Sequence, residues 1–405
     1  MTADASKPAS LSLVILSLAL GAFAIGTSEF AAMGLLPWFA ADLGLSEAEA
    51  GHVISAYAFG VVIGAPITTL LGARLPRRRY LAALIGAYGV LNLAAAILPG
   101  YSTLVGMRFL AGLPHGGFLG VGMLFAADAL PREKRAKGVT QVILGLTVAN
   151  IVGVPFAGVL GDVLGWRSGF ALPGIFALIA AALILKFAPR VGVDPDARPM
   201  AELKALSNSA VLLTLLVGTI GSGGMFAVYA FMSQAMLVTA SPPGWAVPAM
   251  LSAFGIGSTI GSIMAARMTI ALGPVAACAW LFVMMIGAQG FTIWSVGTWQ
   301  AMIAAALLLG LTSTVFVPLQ TRLMDIAGQA QSMAAAMNHA AFNAANGLGP
   351  LFAGLALDAG FGWRAPGVVA IGFSLVGLLG LAVVWRHAKG RGEVLHPVPV
   401  HSAVH

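Results

Sequence analysis

Glu29, in Gly26-Thr27-Ser28-Glu29-Phe30, is the one carboxylate that stands well inside an apolar run of this chain. An ionised side chain is expensive in hydrocarbon, so where one occurs it faces a cavity or a partner. A carboxylate so placed can take up and give back a proton as water gains and loses access to it. Arg108 is the expected partner, because both residues fall at the same depth, roughly 9–12 Å below the outer surface at 1.5 Å of rise per residue. A guanidinium stays charged throughout and modulates a neighbouring acid without titrating. The plainer use of the same two residues is a fixed structural ion pair. His115 and His339 each lie alone in an apolar run. A lone imidazole there serves packing and hydrogen bonding more often than proton carriage, and the three or four convergent ligands of a metal site are not in view.

The second half of the chain carries no acid or base inside an apolar run except at its ends, so titration is assigned to the first half. What the second half offers a solute is neutral: Phe226, Tyr229 and Gln234 in one run, Asn338, His339, Asn343 and Asn346 in another. Aromatic walls with a few amides suit a small lipophilic or modestly polar molecule.

These residues need elements to hold them, and the composition says which. The 405-residue chain is 59% hydrophobic and 9% charged, against roughly 25% charged in soluble domains. Such a surface must face lipid. Twelve apolar runs, at about 11–37, 50–72, 80–99, 102–128, 138–161, 167–188, 208–235, 246–266, 271–295, 298–320, 332–357 and 365–386, each reach the length of a membrane-spanning helix. No ten-residue alternation of a membrane β-barrel occurs. The expected fold is all-α, with twelve transmembrane helices in two six-helix bundles, 11–188 and 207–388. A short segment 1–10 precedes them, a polar linker 189–206 joins them, and a tail 389–405 follows, expected to be disordered. The first run is too long for a signal-peptide core and is expected to be retained. Cys278 stands alone, so no internal disulfide forms.

The formal charge of +7 does not mark a nucleic-acid binder. The bases fall in alternate loops: Arg74, Arg77, Arg78 and Arg79; Arg132, Lys134, Arg135 and Lys137; Lys186 to Lys204; Arg267; Arg322; Arg386, Lys389 and Arg391. That is the positive-inside pattern, and it puts both termini in the cytoplasm.

Half the chain repeats the other half. Asn150, Gly153, Ala157, Gly158 and Asp162 recur 196 positions later as Asn346, Gly349, Ala353, Gly354 and Asp358, and Gly165-Trp166-Arg167 recurs as Gly362-Trp363-Arg364. A same-direction duplication of this size is the parallel-repeat plan of some secondary transporters. Asp162 with Arg167, and Asp358 with Arg364, are expected to brace the outer hairpins as short-range pairs.

With those features in place, the chain resembles the major facilitator superfamily over nearly its whole length. Gly145-Leu-Thr-Val-Ala-Asn150-Ile-Val-Gly153-Val-Pro155-Phe-Ala-Gly158 resembles that family's fifth-helix antiporter motif. Gly26 to Phe30 with Gly34-Leu-Leu-Pro37 resembles the first-helix motif of its twelve-span drug–proton antiporters, and Arg108-Phe-Leu-Ala-Gly112 the fourth-helix motif with a buried arginine. The nearest branch is that of arabinose-efflux-like and chloramphenicol-resistance-like exporters. The resemblance implies proton-coupled efflux across the bacterial cytoplasmic membrane by a monomer embedded in lipid. The proton gradient supplies the energy, with no cofactor, and Glu29 and Arg108 carry the coupling. Export or import of a sugar, nucleoside or other metabolite is the alternative. The motif residues Gly145, Asn150, Gly153, Pro155, Gly158, Asn346 and Gly349 are implied in gating. The loop after the second span departs from the family pattern, with Ala73 where an acid is usual; Asp128 is then the candidate partner for Arg74. An enzyme would show clustered catalytic groups within the spans, and a receptor a sizeable soluble domain. Neither is visible.

Overall fold

A computed structural model describes residues 8–72, 75–128, 130, 135–189, 208–328 and 331–392. Arg74 and Ala73, the segment 1–7, the linker from 190 and the tail from 393 lie outside the described residues, as does the side chain of Asp128; the expected Arg74–Asp128 pair therefore falls outside them too.

Among the described residues there is no strand, and twelve helices are long and apolar enough to cross a membrane. We number them α1 (Pro8–Gly34), α2 (Glu47–Gly72), α3 (Arg77–Ile97), α4 (Tyr101–Asp128), α5, α6 (Trp166–Phe187), α7 (Ser209–Ala240), α8 (Ala246–Leu272), α9 (Pro274–Ser295), α10, α11 (Gln331–Asp358) and α12 (Ala365–Gly390). Two are interrupted. α5 runs as Arg135–Val148, a single π turn Ala149–Gly153 and then Val154–Leu164. The cause is Pro155, which has no N–H to donate and crowds the turn before it. α10 runs as Trp299–Thr312 and, after a short break, Phe316–Ile326. Pro37 opens a further short helix, Leu36–Leu43, at the end of α1.

An even number of crossings returns the chain to the face it started from. We call this the terminal face, and the opposite one, with the Leu43–Glu47 turn, the far face. Large apolar side chains such as Ile97, Val163, Ile270 and Leu379 stand exposed on the outside of the bundle, as a lipid-facing surface requires.

Duplication shows in the packing. In the first half α1 packs on α5 and α6, α2 on α4, and α3 on α4 and α6; in the second, α7 packs on α11 and α12, α8 on α10, and α9 on α10 and α12. The closest backbone approaches are repeated as well. A Cβ added at Gly60 or Gly64 of α2 would stand 2.1 Å from the carbonyl oxygen of Phe109 or Leu113 on α4. One added at Gly257 or Gly261 of α8 would stand 2.2 Å from those of Leu307 and Leu311 on α10. Small residues at such crossings let helices in lipid gain dispersion contact over their whole length. Gly165 and Gly362 hold φ of +87° and +72°, which explains why this turn keeps glycine in both copies.

Two expectations need correction here. α8 and α10 run on to Leu272 and Ile326, so Arg267 and Arg322 belong to helices rather than loops. Arg322 is buried and its Nε donates to Thr214 Oγ1 at 3.3 Å, so the second half does hold an inward cation.

Candidate transport site between the halves

Glu29 and Arg108 stand side by side in the first half but do not bond. Arg108, wholly buried on α4, donates from Nη1 to Ser28 Oγ at 2.9 Å, and from Nη2 to the Ser28 carbonyl at 3.4 Å. Its guanidinium lies 4.1 Å from the centre of the Tyr57 ring and 5.2 Å from that of Phe170, and Ser28 Oγ in turn donates to Asn92 Oδ1. The pairing expected from matching depth is thus corrected: the cation is held by the neighbour of Glu29, close enough for the two charges to interact through space. The Ser28 hydroxyl and carbonyl and two aromatic faces hold the planar guanidinium, whose Nε is buried without a hydrogen-bond partner, and the carboxylate makes no hydrogen bond to it.

Glu29 reaches the other half instead. Asn346 Nδ2, on α11, donates to Glu29 Oε1 at 3.2 Å. Phe30, the next residue, meets Tyr229 of α7 edge-on at 6.1 Å, and Tyr229 stacks on Phe254 of α8 at 4.0 Å. Phe226 meets Phe342, which meets Phe316, at 5.9 and 5.2 Å. One aromatic cluster thus runs from the neighbour of the acid into the second half, and a second lies within the second half. Oδ1 of Asn346, whose amide bonds Glu29, and Oδ1 of Asn343, one turn before it, are buried without a partner. Unpaired polar atoms in a buried setting are costly, and a solute or water that bonds them removes that cost.

A second cross-half contact lies on α4 and α11. His115 Nε2 and His339 Nε2 are 3.0 Å apart, and His115 Nδ1 is 2.9 Å from the Tyr57 hydroxyl, which is 3.2 Å from that of Tyr88. The two imidazoles that stand alone in sequence are partners in space.

Of the residues expected to contact solute, the structure brings Phe226, Tyr229, His339 and Asn343 to the interface around Glu29. It takes Gln234 and Asn338 elsewhere. Gln234 donates to Glu47 Oε1 at 2.8 Å at the far face, and Asn338 donates to Gln320 Oε1 at 2.9 Å within the second half. Other contacts join the halves toward the far face: Ser55 Oγ donates to the Gly347 carbonyl at 2.7 Å, and the Ala48 amide to Asp358 Oδ1 at 3.2 Å.

The motif residues sit where helices touch. A Cβ at Gly145 would lie 2.1 Å from the Ala19 carbonyl oxygen, and one at Gly153 2.2 Å from Thr27 Oγ1, both on α1. One at Gly349 would lie 2.4 Å from the carbonyl oxygen of Gly223 on α7. Gly349 follows Gly153 by 196 positions, and Gly223 follows Thr27 by the same 196, so one contact is built twice. Gly158 has only an ordinary contact, 3.6 Å from Leu251. At the π turn the Asn150 carbonyl comes within 2.5 Å of where a Cβ at Gly255 of α8 would stand, and the Ile151 carbonyl, which Pro155 cannot bond, lies 3.4 Å from Ser252 Oγ. Gly255 escaped the sequence reading because its partner lies in the other half.

The hairpin pairs also need correction. Arg167 pairs not with Asp162 but with Asp42, at 2.7 Å, and Trp166 Nε1 donates to the same carboxylate at 2.9 Å. Those two donors, the indole first and the guanidinium second, hold the Asp42 carboxyl below the usual carboxylate range. Asp162 accepts from Trp38 Nε1 at 3.1 Å. Both acids thus pin the Leu36–Leu43 helix to the start of α6 and the end of α5.

A family model of the Major Facilitator Superfamily matches residues 18–269. The chain belongs to that superfamily. It is 35% identical over 382 residues to the inner membrane transport protein YdhP of Escherichia coli O157:H7, covering 94% of this chain and 97% of the relative. It is 32% identical over 352 residues to a chloramphenicol resistance protein of Streptomyces lividans, covering 84% and 88%. A solved structure of the nucleoside transporter NupG has the same fold, with a TM-score of 0.78, 13% identity and coverage of 93% and 100%. The relatives are transporters rather than enzymes, efflux-type members among them, and the twelve spans make this a multi-pass membrane transporter of the superfamily.

Proposed function

We propose that this transporter exports a small lipophilic or modestly polar solute from the cytoplasm in exchange for protons, with both termini on the cytoplasmic side. Each cycle rocks one six-helix half against the other around the cleft that holds Glu29. The observation that carries this is the Glu29–Asn346 contact: the one deeply placed acid of the first half is bonded to the second half. A proton on Glu29 removes the charge to which the amide donates, so proton binding and the docking of the halves are linked. Arg108, anchored on Ser28, holds a fixed positive field beside the acid through the cycle. The energy comes from the proton gradient, with no bound cofactor, and one chain in lipid suffices. The aromatic clusters supply apolar contact, and the unpaired amide atoms of Asn343 and Asn346 the few polar ones. The resistance-type relative supports a lipophilic solute over a metabolite.

The test is an imposed proton gradient across inverted vesicles, screened for solutes that dissipate it. Lipophilic cations and aromatic antibiotics should do so, and sugars and nucleosides should not. Glu29→Gln should abolish uphill transport while leaving solute counterflow intact. Uphill transport by that variant would end the proposal.

A further inference from the structure

We infer that His115 and His339 form a second proton-binding site of this transporter, one that latches the two halves together and releases them when both imidazoles are protonated. It deepens the proposed exchange mechanism by adding a proton site distinct from Glu29.

The geometry leaves few choices. The two Nε2 atoms are 3.0 Å apart, a hydrogen-bond distance, and a nitrogen pair at that distance needs one N–H and one lone pair. In one arrangement His115 Nε2–H donates to the His339 Nε2 lone pair, His339 carries its proton on Nδ1, and the Tyr57 hydroxyl donates to His115 Nδ1. In the other, His339 Nε2–H donates to His115 Nε2, and His115 Nδ1–H donates to the Tyr57 oxygen. Both satisfy the 2.9 Å contact to Tyr57, and the Tyr57–Tyr88 bond can follow either way. A first added proton can go to the outer nitrogen of the donor ring and leave the Nε2–H···Nε2 bond in place. A second can only take the lone pair that accepts the bond. Two imidazoliums then face each other, N–H to N–H, with nothing to bond, and the contact between α4 and α11 is lost.

The surroundings sharpen this. The pair is met by Tyr57 from α2 and Tyr88 from α3, with Arg108 two turns away on α4 and Glu29 on α1; from α11 the Asn343 amide donates to the His339 carbonyl at 3.1 Å. The His115 ring is wholly buried, and the imidazole centres are 4.9 Å apart in an edge-to-face arrangement that fills the gap between the halves. Arg108 is the fixed positive charge on the same helix and adds to the repulsion felt by a second imidazolium. The pair stands midway along α4, whereas the Ser55, Ala48 and Gln234 contacts lie toward the far face. Breaking it therefore frees the middle of the cleft without touching the far-face contacts.

The test is a distance. Leu71 and Met324 are exposed near the terminal-face ends of α2 and α10, one on each half. Leu71→Cys and Met324→Cys, in a Cys278→Ala background, take spin labels for distance measurement in nanodiscs between pH 8 and pH 4.5. The mean separation should grow by more than about 2 Å as pH falls. The growth should persist in Glu29→Gln and vanish in His339→Gln and His115→Gln, whose neutral amides hydrogen-bond but do not take up a proton in this range. No change with pH in the parent protein overturns the inference, and so does an unchanged response in the histidine variants. A response lost only in Glu29→Gln assigns the sensor to Glu29 and likewise overturns it, with proton-driven export left standing.

Discussion

Asn346 donates to Glu29 across the interface between the halves at 3.2 Å, so a residue of the internal repeat is the partner of the one acid that is deeply buried among the described residues of the first half. Among the described residues its counterpart Asn150 bonds no acid; there the backbone carbonyl lies against Gly255. One duplicated position has thus taken two uses, a side-chain bond on one side of the pseudo-twofold and a backbone contact on the other.

This bond should be measurable as an energy. Asn346→Ala, Glu29→Gln and the double variant form a cycle, and thermal unfolding in detergent should give a coupling of about 0.5–3 kcal/mol. A coupling of zero would mean that the contact does not hold the closed arrangement together.

Gly112 and Gly255 should respond differently to valine. A Cβ at Gly112 would fall 2.2 Å from the Tyr57 carbonyl oxygen, inside the first half, and one at Gly255 would fall 2.5 Å from Asn150, between the halves. Gly112→Val should lose folded protein outright, since rigid backbone lies opposite. Gly255→Val should leave each half folded and shift the far-face-closed state by about 1–3 kcal/mol, roughly 5- to 150-fold in its population. Cysteine labelling of far-face positions, quicker in Gly255→Val, reads that shift.

Ser28→Ala removes the hydroxyl that accepts from Arg108 and donates to Asn92. A buried guanidinium nitrogen is left unbonded, at a cost of about 1–3 kcal/mol. Proton-driven transport should fall at least tenfold, and Ser28→Thr, which keeps the hydroxyl, should restore most of it.

Asp42 predicts a pH dependence at the far face. Its folded-state pKa is depressed by Trp166 and Arg167, so its contribution is present above the unfolded value of about 3.9 and is lost as pH falls through the folded value. The pair is half exposed and solvent-screened, so Asp42→Asn should lower Tm by no more than about 2 °C at pH 7. Once the pH has fallen below the depressed folded value, the variant and the parent should converge. A persistent gap there would show that the side chain acts through packing.

Much of the architecture was legible from residue order alone. Twenty apolar residues in lipid have one economical solution, a helix that bonds its own backbone, so the twelve spans and their alternating direction followed from run lengths. The 196-residue repeat pointed to two halves, whereas the break in α5 before Pro155 is not read from the run 138–161 and appears only in the structure. Glu29 and Arg108 were visible because charge is so rare here. What the sequence did not carry was partnership. The bonding of Arg108 to Ser28, of Glu29 to Asn346, of His115 to His339 and of Arg167 to Asp42 joins residues 80, 317, 224 and 125 positions apart. Helix periodicity places a side chain on a face, but which face meets which is set by the crossing of helices whose glycines admit close approach. The Gly60 and Gly64 pair on α2, matched by Gly257 and Gly261 on α8, decides those crossings, and its role appears only once the opposing carbonyls are in place.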